Sequence, residues 1–113
     1  MKILTEGHRY ELANFENKDE LQNQVIQFIE KEAYTIKNES DPTFTATQLV
    51  TVNDGTTNEE VLEVLIDRLQ YLNGKFPCRE NSIAITKLEE ALMWLNKRTA
   101  DRVKRGVEGK NLK

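Results

Sequence analysis

Three arginines near the C-terminal end of the sequence have a spacing that suits phosphate binding. Arg98, Arg102 and Arg105 follow one another by steps of four and three, so they recur on one side of a helix. A guanidinium stays charged at physiological pH and makes paired hydrogen bonds to phosphate oxygens. The spacing therefore predicts a site for a compact anion such as a diphosphate or a cyclic nucleotide.

The same steps continue towards the N-terminus through an apolar stripe, which consists of Ala84, Leu88, Ala91 and Leu95. A stripe that changes from apolar residues to arginines has either left the core or reached a place where an anion packs against it. The alternative is that the arginines complement the dipole at the helix C-terminus and remain solvated. The spacing alone leaves both interpretations open.

Tyr71 and Asn81 flank the turn before this helix and could recognise the rest of a nucleotide. Tyrosine offers an aromatic face, and asparagine offers an amide that can bind the edge of a base or a ribose. Asn81 and Arg98 are roughly 25 Å apart along a helix that rises about 1.5 Å per residue. A small ligand that contacts both must therefore lie between two chains, and a two-fold dimer with antiparallel long helices would form two identical sites. The alternative is a half-buried Tyr71 and an Asn81 that caps its helix.

Catalytic and metal chemistry have little support in the sequence. His8 is the one histidine and Cys78 the one cysteine, and neither has an evident catalytic partner. One cysteine forms no internal disulfide, and this pair alone does not complete a zinc site. We expect no catalytic residue, no metal and no cofactor.

Two helices are predicted to position the arginines and the pair at the turn. The first spans 56–73, beginning with a capping box at Thr57–Glu60 and ending at Gly74. The second spans 79–105 and ends at Gly106. The short connector predicts an antiparallel hairpin, and 107–113 is expected to be a frayed tail.

The N-terminal half, 1–52, is predicted to contain mainly strands and loops. Strands are expected at Arg9–Phe15, at Gln24–Lys31, where a helical pattern also fits, and at Phe44–Val52, with a loop over 38–43. The whole chain, 1–113, is expected to be one α+β domain with a small N-terminal antiparallel sheet followed by the hairpin. The residues expected to be buried in the hairpin are Val61, Leu65, Leu69, Leu88, Leu92 and Leu95.

Composition narrows the class of partner. The 113 residues are 38% apolar and 31% charged, and the net charge is −3. Residues 97–113 carry seven Lys or Arg against two acids, a charge of +5 that leaves −8 for the rest. An acidic body with a basic end suits a small anion better than a nucleic acid. No apolar run approaches the ~20 residues of a membrane span, and no signal peptide is evident, so we expect a cytoplasmic protein.

Several segments resemble the Thoeris anti-defence proteins of the signal-sponge class, whose C-terminal hairpin is shared with the anti-CBASS sponge of phages. The similar segments are Asn53–Leu62, Phe76–Asn81, Lys87–Leu95, Arg98–Thr99, Arg102 and Arg105–Gly109, with weaker similarity at His8–Leu12 and Gln27–Lys31. The resemblance implies a protein that binds cyclic ADP-ribose isomers, made by the TIR-domain enzymes of Thoeris defence, without degrading them. It places the protein in the cytoplasm of the infected bacterial host.

The resemblance also implies a pocket at a subunit interface that uses an aromatic residue, an asparagine and two arginines. These fall on Tyr71, Asn81, Arg98 and Arg102, with tyrosine where phenylalanine also occurs in the family. Relatives form hexamers from dimers and bind cyclic di- or trinucleotides at separate sites, which we do not place on this sequence.

Two other functions remain as hypotheses. The basic C-terminal helix could serve a nucleic-acid-binding or regulatory module, although the aromatics are not interleaved with the basic residues. An enzyme that hydrolyses the signal is the third hypothesis, opposed by the lack of a convincing acid, base or metal set.

Overall fold

The computed structural model describes residues 1–38 and 40–106. The chain divides into two compact units, Met1–Thr56 and Thr57–Lys113. The first contains β-strands and the second contains two helices, which confirms the predicted α+β class. The prediction of one domain stays a prediction, and the predicted frayed tail lies outside the described residues. None of the helices in the described part combines the length and apolar character needed to cross a bilayer.

The first unit contains a three-stranded antiparallel sheet in the order β1-β2-β3. Its strands are β1 (Lys2–Thr5), β2 (Arg9–Leu12) and β3 (Gln24–Gln27), and a short 3-10 turn, Glu20–Gln22, precedes β3. The predicted strand at Arg9–Phe15 is present but ends at Leu12, and β1 was not predicted. Tyr10 and Phe28 pack edge to face with ring centroids 5.9 Å apart, which ties β2 to the end of β3.

The predicted single strand Gln24–Lys31 was wrong in one respect, because the chain changes its pairing partner within it. The amide of Phe28 donates to the His8 carbonyl oxygen at 2.7 Å, whereas the amide of Ile29 donates to Thr56 at 2.9 Å. This change of partner separates β3 from β4 (Glu30–Asn38).

Strand β4 pairs antiparallel with β5 (Asp41–Asn53) in a two-stranded ribbon, and Asn38 is the partner of Asp41. The predicted loop over 38–43 was therefore too long. Pro42 is tolerated inside β5 because a strand with an open edge does not use every N–H group. The Thr43 hydroxyl and amide both donate to Asp41 Oδ1, at 2.6 and 3.1 Å, and they lower the pKa of that carboxyl.

Gly55 lies where the segment after β5 passes very close to the end of β3. The Thr56 amide donates to the Gln27 carbonyl oxygen at 2.8 Å. A Cβ atom on Gly55 would lie 2.6 Å from the Phe28 carbonyl carbon and would also collide with the Gln27 carbonyl oxygen. Backbone atoms cannot move aside as a flexible side chain can, so this position requires glycine.

We therefore expect Gly55→Ala to destabilise the protein by about 1–3 kcal/mol, the usual cost of overpacking. The melting temperature measured by circular dichroism should fall. Gly74→Ala is the matched control, since nothing lies within 4 Å of the Cβ that it would add. Equal melting temperatures for Gly55→Ala and the wild type would show that Gly55 does not lie this close to the Gln27 and Phe28 backbone in solution.

The second unit is a hairpin of α1 (Asn58–Lys75) and α2 (Arg79–Lys104). Thr57 caps α1 as predicted, because its side chain accepts a hydrogen bond from the Glu60 amide at 3.2 Å. The predicted stop at Gly74 was wrong, since α1 continues to Lys75 and the Phe76 amide closes its last turn on Leu72. The predicted stop after α2 is confirmed, with Gly106 in the left-handed region at a φ of 71°.

The two helices cover each other on one side only. Ile66 is the one buried apolar residue of the described chain. Most of the predicted hairpin core is half-buried rather than buried, namely Val61, Leu69, Leu88, Leu92 and Leu95. Leu65 is 44% exposed, so its predicted burial was wrong. It lies about 100° around the helix from Ile66, on a face that α2 does not cover.

Candidate ligand-binding site

Arg98 is an exposed arginine near the C-terminal end of α2. The nearest acid ahead of it on the helix, Asp101, accepts a hydrogen bond from Lys97 Nζ at 3.1 Å. Within the described residues the side chain of Arg98 makes no hydrogen bond or ion pair. Its guanidinium therefore keeps its donors available for an external anion.

Arg102 follows Arg98 by one turn, and its environment is different. It is 7% exposed and is the only buried charged residue of the described chain. It ends a covered stripe on α2 that advances by steps of four and three: Asn81, Ile85, Leu88, Leu92, Leu95, Thr99 and Arg102. Arg98 thus carries an exposed charge and Arg102 a covered charge, and only Arg102 belongs to the covered stripe.

The predicted stripe of three arginines was wrong in part. The prediction placed Arg98, three residues after Leu95, on the same stripe as the apolar residues. In the structure the next covered residue after Leu95 is Thr99, four residues later, and Arg98 is exposed. Arg105 is exposed and lies beyond the last residue of α2, where it is the C-cap and its amide donates to the Asp101 carbonyl oxygen at 3.0 Å. Arg98 and Arg102 are therefore the pair within α2, and Arg105 lies just beyond the end of the helix.

Thr99 is a residue of this region that the sequence analysis missed. Its hydroxyl donates to Glu59 Oε1 at 3.5 Å, and both residues are half-buried. This contact brings the first turn of α1 beside the arginine segment of α2. Thr99 would have been found by continuing the stripe with the step of four after Leu95.

Tyr71 is 57% exposed near the opposite end of the hairpin. It lines a shallow hollow of about 470 Å³ along α1, together with Val64, Arg68 and the acids Glu60, Glu63 and Asp67. Lys75 Nζ lies 4.8 Å from the ring centroid. Lys75 thus lies over one face of the ring, while the residue as a whole is exposed, so the alternative of a half-buried Tyr71 was wrong.

Asn81 is a half-buried residue in the first turn of α2. Cys78 rather than Asn81 caps the helix, because the Cys78 sulfur accepts a hydrogen bond from the Asn81 backbone amide at 3.4 Å. The side-chain amide of Asn81 makes no hydrogen bond to another described residue. The alternative in which Asn81 is only a cap was therefore wrong, and its amide is available to a ligand.

The hairpin places the predicted site residues at its two ends, with Tyr71 and Asn81 near the turn and Arg98 and Arg102 at the opposite end of α2. A hydrogen bond of 3.1 Å between Asn73 and Ser82 joins the helices at the end that carries Tyr71 and Asn81. Arg98 and Arg102 share the other end of α2. The pairs are separated by about 25 Å of helix, at roughly 1.5 Å per residue, so one small ligand does not span them within one chain.

The groove between the helices is unsuited to phosphate. It has a volume of about 630 Å³ and an apolar floor that includes Ile66 and Leu92. Its polar lining includes the acids Glu63, Asp67 and Glu89, which would repel an anion. The phosphate-binding end of any ligand therefore belongs at the arginine pair and not in this groove.

The residues considered for catalysis and metal binding are not part of the candidate site. His8 Nδ1 lies 3.0 Å from the Glu6 carbonyl oxygen and 3.5 Å from Glu30 Oε1, in the strand-containing unit. Cys78 is exposed and caps α2. Within the described ranges, no three or more His, Cys, Asp or Glu residues are grouped so that they could hold a metal ion.

Comparison with known proteins identifies the class to which this hairpin belongs. The family model described as Acb2/Tad1, hairpin domain, matches residues 37–100, which include β5, α1 and most of α2. The chain belongs to the Acb2/Tad1 hairpin-domain family, and the resemblance to the Thoeris anti-defence proteins is confirmed.

A particular relative is the protein named Thoeris anti-defense 1 of Bacillus phage SBSphiJ7. It is 65% identical over 57 residues, which are 50% of this chain and 40% of the relative. The chain thus covers less than half the length of that relative.

Proposed function

We propose that this protein is a phage anti-defence sponge that binds a cyclic ADP-ribose isomer and releases it unchanged. The observation that carries the proposal is the arginine pair, in which an exposed Arg98, whose side chain bonds to no other described residue, is followed one turn later by the covered Arg102. The name of the relative, Thoeris anti-defense 1, supports the choice of a Thoeris signal as the ligand.

The ligand's diphosphate is assigned to Arg98 and Arg102. A charged hydrogen bond to a guanidinium is stronger than a neutral one, and two arginines one turn apart can each contact a phosphate. Lys97 neutralises Asp101, so the nearest acid on the helix does not compete for Arg98. The acidic groove between the helices keeps the anion at this end of the hairpin.

The base and ribose are assigned to Tyr71 and Asn81 of a second chain. Tyr71 offers for stacking the face of its ring that Lys75 does not occupy, and Asn81 offers a side-chain amide that bonds to no other residue in the described part of the chain. A two-fold dimer with antiparallel α2 helices brings these residues beside Arg98 and Arg102 of the other chain, twice by symmetry. The dimer would thus hold two ligands in equivalent sites.

Self-association has independent support in the uncovered apolar residues of α2. Met93 and Trp94 are 56% and 63% exposed near the middle of the helix. Large exposed apolar residues that are close together are typical of interaction surfaces. In the antiparallel arrangement they lie near the two-fold axis, where a second chain would cover them.

The proposal includes an action in the cytoplasm of the infected bacterial host, where the signal is made, and no catalysis. Cyclic di- or trinucleotides are a second ligand class that the sequence resemblance implies, and we assign them no residues in this chain. The test is to purify the protein from cells that contain an active TIR signalling enzyme and to identify the bound small molecule by mass spectrometry. We expect one cyclic ADP-ribose isomer, and recovery of protein without it would contradict the proposal.

A further inference from the structure

Asn73 joins the two helices at the end of the hairpin that carries Tyr71 and Asn81. Its side-chain Nδ2 donates to Ser82 Oγ at 3.1 Å, and its Oδ1 accepts from the Cys78 backbone amide at 3.0 Å. Both the nitrogen and the oxygen of the Asn73 side-chain amide thus make hydrogen bonds across the turn. We refer to these two hydrogen bonds as the Asn73 link.

The Asn73 link stabilises the turn between α1 and α2, where the local sequence itself gives little stability. Gly74 lies in the last turn of α1, where glycine lowers helix stability by about 1 kcal/mol relative to alanine. Only three residues, Phe76, Pro77 and Cys78, separate α1 from α2. The link restrains this turn, because Cys78 is the N-cap of α2 and Ser82 lies in its first turns.

The two proposed base-binding residues are close in sequence to the ends of the link, although Tyr71 and Asn73 lie on different faces of α1. Tyr71 precedes Asn73 by two residues on α1, and Asn81 directly precedes Ser82 on α2. The Asn81 backbone amide donates a hydrogen bond to Cys78 Sγ. The backbone amide of Cys78 in turn donates to the Asn73 side chain. Asn73 thus restrains the first turn of α2, which carries Asn81, relative to α1, which carries Tyr71.

We propose that Asn73 is a positioning residue that sets the nucleobase specificity of the site, by holding the Asn81 amide in register with the Tyr71 ring. This inference rests on the proposed function, since it takes an adenine base as the ligand of this pair. The arginine pair is about 25 Å away along α2 in the same chain, at roughly 1.5 Å per residue. Loss of the link should consequently weaken base discrimination more than it weakens phosphate binding.

The experiment compares two ligands by isothermal titration calorimetry, a cyclic ADP-ribose isomer and the analogue with hypoxanthine in place of adenine. The proposal has the Asn81 amide oxygen facing the amino group of adenine, so the wild type should prefer the adenine form, because hypoxanthine presents an acceptor oxygen there in place of a donor. One hydrogen bond corresponds to roughly three- to tenfold in affinity. Asn73→Ala should lose most of this preference while it still binds both ligands.

Two further variants separate positioning from loss of folding. Ser82→Ala removes one bond of the link at an exposed helical position, and it should reduce the preference without lowering the helix content. Asn73→Asp should retain the preference, because a carboxylate accepts from both the Cys78 amide and the Ser82 hydroxyl. Asn96→Ala is the matched control, an exposed asparagine on α2 outside the link.

Each outcome decides a different claim. If Asn73→Ala and Ser82→Ala keep the wild-type preference, or if both ligands weaken by the same factor, Asn73 does not set base specificity. If the wild type binds neither cyclic ligand, the proposed function itself is overturned, and the role of Asn73 with it.

Discussion

Replacing Arg98 with alanine should weaken binding of a cyclic ADP-ribose isomer roughly ten- to a hundredfold, and replacing Arg102 should do the same. The reason is that each change removes a charged hydrogen bond of about 1.5–3 kcal/mol to the diphosphate. The measurement is isothermal titration calorimetry. Arg98→Lys should recover only part of the affinity, since lysine keeps the charge but not the paired hydrogen bonds.

The two arginines should differ in their effect on folding. Arg98 is exposed, so Arg98→Ala should leave the melting temperature nearly unchanged. Arg102 is 7% exposed, so Arg102→Ala removes packed surface as well and should lower it. Lys104→Ala is the control for net charge at the same helix end. If Arg98→Ala changes only stability and leaves affinity at the wild-type value, the arginines serve the helix dipole and not a ligand.

Mixing two defective chains should restore tight binding at about a quarter of all sites, which is the strongest consequence of a site shared between subunits. The chains are Asn81→Ala and Arg98→Ala, which carry lesions in opposite halves of the proposed site. Random exchange makes half of the dimers heterodimers, and each heterodimer has one intact site and one doubly damaged site. The number of tight sites is measured by titration after the exchange has been verified.

A second mixture provides the control for this experiment. Arg98→Ala and Arg102→Ala damage the same half of the site, so their heterodimers have no intact site and should show no recovery. Recovery in both mixtures, or in neither despite verified exchange, would contradict the shared site. A monomer in light scattering at micromolar concentration would contradict it as well.

The hairpin was predictable because its signals are local. The Thr57 cap and the glycine after α2 each act within a few residues, and each has the predicted effect. The apolar period of α1 predicted a helix, but it placed Leu65 in the core, and Leu65 is exposed. Gly74 misled the prediction because the end of α1 depends on contacts of Asn73 with the next helix, which no local pattern contains. The boundary between β3 and β4 was missed for the same reason, since it depends on the distant partners His8 and Thr56.

The candidate site was predictable in its residue types and less so in its geometry. Charge and spacing identified Arg98 and Arg102, but which of them is covered depends on where α1 packs. A choice between steps of three and four after Leu95 decides whether Arg98 or Thr99 belongs to the covered stripe, and helical period alone permits both. The Asn73 link escaped prediction because an asparagine before a glycine is also typical of a turn.

The central claim, sequestration without cleavage, is tested most directly by recovery of the bound signal. The purified protein is incubated with a cyclic ADP-ribose isomer, unbound ligand is removed, the complex is heat-denatured, and the released molecule is quantified by liquid chromatography and mass spectrometry. The proposal predicts the intact cyclic isomer at about one molecule per chain, unchanged in mass and retention after prolonged incubation. Release of linear ADP-ribose or of any other hydrolysis product would show that the protein is an enzyme and would contradict the claim.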